Sequence, residues 1–319
     1  MYMMHSDVIN GETCKYTETT PFNTNHTSAA RMFVINTTPA GTPVFATKIA
    51  TKTLKPITPP YDKSIPPCAE EDRNKASEAM QLFKEANRML DLLDKDYEVR
   101  TIFKLCKANS DGDNLVIEKE TGQFLVFPLL RQQTPKRDGS PFLCLSDFIR
   151  PLSSGIPDTI GAFASCIDAD MEGLYEQDPY KHLLVQTLSD RLAEAATEKM
   201  HEYVRKEAWG YAKDESLSMP DLLVEKYQGI RPAVGYPSLP DQSINFLLDE
   251  LLDMKQIGIT LTENGAMYPH ASVCGLMFAH PAAEYFSVGK IGEDQLEDYA
   301  RRRGKSTEEM RKFLAANLQ

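Results

Sequence analysis

The 319 residues carry a formal charge of −11, with 42% apolar and 25% charged side chains, a balance ordinary for a globular chain with a sizeable core. That charge argues against nucleic acid or an anionic membrane as the main partner, because both require clustered Lys and Arg. Cys14, Cys68, Cys106, Cys144, Cys166 and Cys274 are scattered without a Cys-x-x-Cys pair, so neither a zinc site nor a disulfide framework is indicated, and a reducing cytoplasm fits best. The Met-Tyr-Met-Met-His start lacks a basic, then apolar, leader pattern, and no window approaches a membrane-spanning length, so neither export nor a membrane anchor is expected.

Residues 1–68 are rich in Thr, Pro and Asn and poor in acids, and read as a partly disordered extension ahead of a folded domain over 69–319. Within the extension, residues 32–35 and 44–47 flank a Thr-Thr-Pro-Ala-Gly-Thr stretch and predict a hairpin that Pro39 and Pro43 confine to a sheet edge. Beyond Pro66-Pro67, Ala79, Leu82, Phe83, Ala86, Met89, Leu90 and Leu93 recur at helical steps and predict one apolar stripe. Strands are predicted at 101–107 and 114–120, joined through Asn109-Ser110-Asp111-Gly112-Asp113. The Asp-Gly-Asp turn does not complete a calcium loop, so a hairpin is the reading. Further strands at 124–130 and 158–165 come without alternating helices. That pattern favours an antiparallel or mixed sheet over a doubly wound parallel one, and the expected fold class is α+β, a twisted, mainly antiparallel sheet flanked by helices.

Residues 179–209 predict a long amphipathic helix with Leu184, Leu188, Leu192, Ala196, Met200 and Tyr203 inward. Asp190, Glu194, Glu198 and Glu202 fall at four-residue steps on it, and the interleaved Arg191, Lys199, His201, Arg205 and Lys206 suggest a solvated, salt-bridged face. Pro240-Asp241 opens another helix, carrying Ile244, Leu247, Leu248, Leu251 and Leu252 and ending at Gly258. Strands are predicted at 259–262, 271–279 and 285–291. Two helices close the chain, the second marked by the Ser306/Glu309 capping box.

Between these helices lies Glu225-Lys226-Tyr227-Gln228-Gly229-Ile230-Arg231-Pro232-Ala233-Val234-Gly235-Tyr236. Arg231 offers a planar fork of donors for a carboxylate or phosphate, and Pro232 keeps it out of helical backbone. Gly235 lets a ligand approach the backbone, Tyr236 adds an aromatic face, and Glu225 could answer a cationic group. These groups suit a zwitterion with a flat ring, although on composition alone Arg231 could as well pair with a surface carboxylate in an ordinary turn. His270 stands alone in sequence, without nearby partners for a metal.

The loop closely resembles the Arg-x-x-x-Gly-Tyr segment of the activation domain of cobalamin-dependent methionine synthase. So do Leu130-Arg131-Gln132-Gln133, Ile160-Gly161-Ala162-Phe163-Ala164, Asp190-Arg191-Leu192-Ala193-Glu194, Trp209-Gly210-Tyr211-Ala212, Ala271-Ser272-Val273, His280-Pro281 and Glu297-Asp298-Tyr299-Ala300-Arg301-Arg302, in the family's order. The resemblance implies that Arg231 takes the carboxylate of S-adenosylmethionine. Glu194 and Glu225 would meet its cationic or hydroxyl groups, the backbone from Ala233 through Gly235 to Tyr236 its adenine edge, and Tyr285 with Phe286 its nucleoside. The chain departs from the family at His270, where Gly is usual, and at Phe286, where the family has a second Tyr. The family's upstream Asp-Trp-Thr-Pro-Phe-Phe is echoed only by Glu18-Thr19-Thr20-Pro21-Phe22.

In the family this module caps a corrinoid domain, so that inactive cob(II)alamin, reduced by a separate donor such as a flavodoxin-like protein, is methylated. No homocysteine, folate or corrinoid-binding segment is visible here. The resemblance thus implies action in trans on a cobalamin-dependent methionine synthase lacking its own activation domain, with the cobalamin carried by that partner and no turnover by this chain alone. Two other readings stand beside it: a docking partner of the corrinoid domain that has lost the ligand, and an independent methyltransferase using the same cofactor. The second lacks the Gly-rich strand-to-helix turn of the common nucleotide fold.

Overall fold

The computed structural model describes residues 31–37, 43–48, 70–136 and 139–319. Seven strands make one antiparallel sheet: β1 (Arg31–Thr37), β2 (Pro43–Lys48), β3 (Glu98–Asp111), β4 (Asn114–Glu118), β5 (Phe124–Pro128), β6 (Asp158–Ile167) and β9 (Ser272–Met277). A separate two-stranded ribbon joins β7 (Thr260–Leu261) to β8 (Met267–Tyr268). The helices are α1 (Glu70–Asp96), α2 (Pro179–Tyr203), α3 (Met219–Leu223), α4 (Ile244–Leu252), α5 (Glu293–Arg303) and α6 (Thr307–Phe313). The predicted α+β class and antiparallel sheet are what the chain adopts. None of the helices among the described residues is long and apolar enough to cross a membrane.

The long strand β3 is the spine. One edge pairs with β2 through Val44↔Ile102 to Lys48↔Glu98 and, farther along, with β4; the other edge carries β6 from Val99↔Ile167 to Ala108↔Asp158. The expected hairpin exists with β1 as its outer strand, but β2 is not at the sheet edge: it pairs with both β1 and β3, and Pro43 is accommodated as its first residue. Beyond β6 lies β9, matched Phe163↔Gly275. Residues alternate across each strand, so the two sheet faces carry different partners. Ile102, Cys106, Ala162, Ala164, Cys274 and Leu276 pack on α4 through Ile244, Leu248 and Leu251. On the opposite face, Val99 and Ile167 meet α1 and α2 through Ala86, Leu90, Leu93, Leu184, Val185 and Leu188. Phe103, Phe163 and Met277 meet Met200 and Val204 there. Covered on both faces, β6 is continuously buried from Ile160 to Ile167 where a one-sided strand would alternate.

Four sequence expectations are corrected. Residues 285–290 form no strand. Gly289 takes a positive φ of 72°, Ser238 bonds both backbone groups of Phe286, and Val288 N–H goes to Pro237 O at 2.9 Å, so the backbone is tied to neighbouring loops. The helix expected to run to Gly258 breaks at Asp253, whose left-handed φ of 53° begins the 3₁₀ turn Met254–Ile257. The helix expected to reach residue 209 ends as a regular helix at Tyr203 and finishes in a π turn, Val204–Ala208. On α1 the inward stripe starts late: Leu82 is 48% exposed, whereas Ala86, Met89, Leu90 and Leu93 are buried.

Candidate functional site

The Arg231 loop is a strand-like seam laid along β9. Ile230 and Phe278 exchange backbone bonds at 2.9 Å, Leu276 N–H donates to Pro232 O at 3.1 Å, and Val234 N–H donates to Cys274 O at 2.9 Å. This approach requires Gly275: a Cβ there would lie 2.2 Å from Pro232 O and 2.8 Å from Ala233 Cα. At the far end of the seam Gly235 has φ 87°, and the space where its Cβ would point is open. Gly235, Tyr236 and Pro237 are exposed, and Ala233 is half-buried.

Arg231 itself is largely covered, its side chain 17% exposed. Its Nη1 donates to Tyr227 Oη at 2.8 Å and lies 3.5 Å from His201 Nδ1, while its Nη2 donates to Glu198 Oε1 at 3.2 Å. Its backbone N–H donates to Tyr285 Oη at 2.9 Å, so Tyr285 belongs to this cluster. Burial opposes the Arg231 charge, but the oxygens of Tyr227, Tyr285 and Glu198 outweigh it and hold the cation firmly. Beneath lies a second cation. Arg205 is buried, donates to both Glu215 oxygens at 2.6 and 2.8 Å and to His201 Nδ1 at 3.0 Å, and sits 4.3 Å from the Tyr227 ring centre.

Both arginines can only donate, so His201 Nδ1 accepts and the ring proton is assigned to Nε2. Burial, reinforced by Arg231 and Arg205, drives the His201 pKa well below the ordinary histidine range. The salt-bridged face expected for α2 holds for Arg191–Glu194, Lys199–Glu202 and Lys206–Glu202 and is corrected for His201 and Arg205, which are 0% and 1% exposed. They continue the buried column Val185, Ser189, Ala193, Thr197 at four-residue steps, and that phase was the sequence signal that could have found them.

The other predicted residues are spread around this cluster. Glu225, with a left-handed φ of 56°, is half-buried; burial raises its pKa, opposed by the nearby Arg231 charge. Glu194 lies one turn before Glu198 on α2 and is held by Arg191 at 2.7 Å. Phe286 turns inward, 6.5 Å ring to ring from Phe148, and packs against the α5–α6 cluster. His270, the departure from the family pattern, is bonded to Glu172 through both its backbone N–H and its ring. Glu18 and its neighbours lie outside the described residues. Glu198, Tyr227, His201, Arg205 and Glu215 are the cluster members that sequence reasoning did not select.

A hollow of about 390 Å³ between α1 and α2, lined by Glu78, Gln81, Leu82, Glu85 and Tyr180, shares no residue with this cluster. Several family blocks act as staples elsewhere. Arg131 bridges Asp113 and Asp147 at 2.7 Å each, and Gln295 bonds both backbone groups of Arg131. Tyr299 Oη donates to the buried Asp241 at 2.7 Å, tying α5 to the start of α4.

Two comparisons bear on identity. The chain is similar to a solved structure, the crystal structure of the MetH reactivation domain bound to AdoHcy, at 43% identity and a TM-score of 0.73, over 80% of this chain and 82% of that one. The family model described as vitamin B12 dependent methionine synthase, activation domain, matches residues 57–304, and with that span covering most of its length the chain belongs to this family.

Proposed function

We propose that the chain binds S-adenosylmethionine at the Arg231 loop and serves as the reactivation unit of a cobalamin-dependent methionine synthase. The observation that carries this reading is a charge imbalance. Two guanidinium ions lie against one imidazole and one phenol ring, yet among the described residues Glu215 is the one buried carboxylate that answers them, and Glu198 is 48% exposed. A covered cation with a weak counter-ion favours an incoming anion, and an amino-acid carboxylate matches the planar fork. The open side of Gly235 leaves room for a ligand against the backbone. The solved relative holds AdoHcy, an S-adenosyl amino acid with that same carboxylate.

In this reading Arg231 orients the ligand, Glu225 and Glu194 meet its cationic or hydroxyl groups, and the backbone from Ala233 to Tyr236 meets the adenine edge. Tyr285 is the aromatic of its pair that lies beside the site, with Phe286 behind it. S-adenosylmethionine supplies a transferable methyl group, and cobalamin carried by the partner receives it. The finer form of the proposal is docking in trans on a synthase that lacks this unit, with electrons from a flavodoxin-like donor. Calorimetric titration with S-adenosylmethionine tests the binding step. Arg231→Ala should weaken affinity by roughly 1.5–3 kcal/mol, the worth of a charge-assisted bond, and Arg231→Lys should recover only part because an ammonium is a point charge. Equal affinity of wild type and Arg231→Ala would remove Arg231 from the site.

A further inference from the structure

An arginine side chain that can rotate freely loses that freedom when it meets an acid, whereas one fixed beforehand does not. The Arg231 fork is fixed at one end only. Its Nη1 is committed to Tyr227 Oη at 2.8 Å, with His201 Nδ1 behind it at 3.5 Å, and among the described residues its Nη2 carries only the half-exposed Glu198 at 3.2 Å. The anchoring groups are themselves held by neighbours. His201 is fully buried and takes a 3.0 Å bond from Arg205, which is locked bidentately to Glu215. The Tyr227 ring lies between the two cations, 4.3 Å from the Arg205 guanidinium and 5.9 Å from that of Arg231, and stands edge-on to His201 at 5.3 Å. Two like charges this close would drive each other apart unless an aromatic face and a lone pair lay between them.

We propose that Tyr227 and His201 are positioning residues for the ligand's carboxylate: they pin the Nη1 end of the Arg231 fork against the Arg205–Glu215 pair, so that the Nη2 end is the one presented to an acid. The proposal rests on the reading of Arg231 as the carboxylate receiver. Tyr227 and His201 act through Arg231 and make no contact with the reacting methyl group. The arrangement also gives Glu198 a role, as the internal acid that occupies the presented end until a ligand displaces it.

The test compares two ligands on the full chain by calorimetry: S-adenosylmethionine and its decarboxylated analogue, which lacks only the acid. A general packing defect lowers affinity for both, while loss of aim lowers only the preference for the acid. Wild type should prefer S-adenosylmethionine. Tyr227→Phe, which keeps the ring and removes the acceptor, should cut that preference roughly tenfold and leave binding of the analogue unchanged. His201→Leu should do the same, and His201→Gln, whose amide oxygen can still accept, should retain most of the preference. Should His201→Leu fail to fold, Tyr227→Phe decides alone. A wild-type preference in Tyr227→Phe, or equal losses for both ligands, would overturn the positioning role. Absence of any preference in wild type, unchanged in Arg231→Ala, would instead overturn the carboxylate reading beneath it.

Discussion

At the scale of single residues, the site trades stability for charge. Glu225 is strained in the left-handed region and half-buried, and burial raises its pKa above the ordinary glutamate value. A raised carboxyl pKa means that the folded state binds the proton more tightly than the unfolded one. The stabilising contribution is complete below the unfolded pKa and is lost as pH rises through the folded value. Glu225→Gln should therefore raise the thermal midpoint at neutral pH, and the gain should vanish below the glutamate titration range. If Glu225 meets a cationic group of the ligand, the same change should weaken S-adenosylmethionine binding. Melting curves from pH 3 to pH 8 with parallel titrations check both; no stabilisation at pH 7 would contradict the burial argument. What was legible of this cluster in the sequence is what backbone chemistry announces, the non-helical chain before Pro232 and the open turn at Gly235, together with Arg231 as a candidate but not its burial. Arg205 and His201 were hidden because charge is ordinarily read as exposure. Burying Arg205 depended on Glu215, ten residues away across the π turn, a pairing that no helical periodicity encodes.

At the scale of elements, the loop and β9 make one device, and Gly275 is its contact point. A Cβ there would meet the backbone at Pro232 O, 2.2 Å away, and no side-chain rotation relieves such a clash. Gly275→Ala should cost about 1–3 kcal/mol and lift the loop, with loss of ligand binding beyond the loss of stability. Gly235→Ala, where space is open, should cost about 1–2 kcal/mol for its positive φ alone. Thermal unfolding with ligand titration separates the two, and equal effects would mean that the seam does not depend on close approach. A second element-level prediction concerns the extension. Deleting residues 1–60 removes β1 and β2, yet β3 keeps its full pairing with β6 from Val99 to Ala108, so a folded domain should remain, with a new open edge at Glu98 to Ile102. Circular dichroism and thermal melts check it; an unfolded truncation would show that the hairpin is integral to the sheet. Strands and helices with one apolar face were readable from period alone. Residues 285–290 were not, because their extended, apolar character reflects loop-to-loop bonds such as Gln132 to Ser287 O at 2.8 Å, and those partners are distant in sequence.

At the scale of the whole molecule, the question is where a methyl acceptor comes from. Cys106, Cys144, Cys166 and Cys274 are buried, and burial pushes the thiols of Cys106 and Cys144 up to about 11 and that of Cys166 to about 12, with Cys274 raised as well. None is a ready thiolate. The Arg231 loop, by contrast, ends in the exposed stretch Gly235 to Pro237 at the molecular surface, so a bound methyl donor there can be reached from outside. On the proposed reading such a site would be half of a reaction centre, and a docked partner would supply the rest through proximity and alignment. Docking should be transient, since a permanent cap would exclude the partner's other substrates, and it should tighten when the partner's cobalt is in the inactive oxidation state. The chain alone should therefore show no turnover, yet methylate the corrinoid of a synthase that lacks an activation domain. The measurement mixes that synthase in its cob(II)alamin state with a reductant and S-adenosylmethionine, and follows corrinoid methylation by absorbance with wild type, with Arg231→Ala, and without added protein. Wild type should accelerate methylation strongly and Arg231→Ala weakly. Identical methylation in all three mixtures would defeat reactivation in trans, and acceleration by both proteins alike would leave a docking role that does not use the Arg231 site.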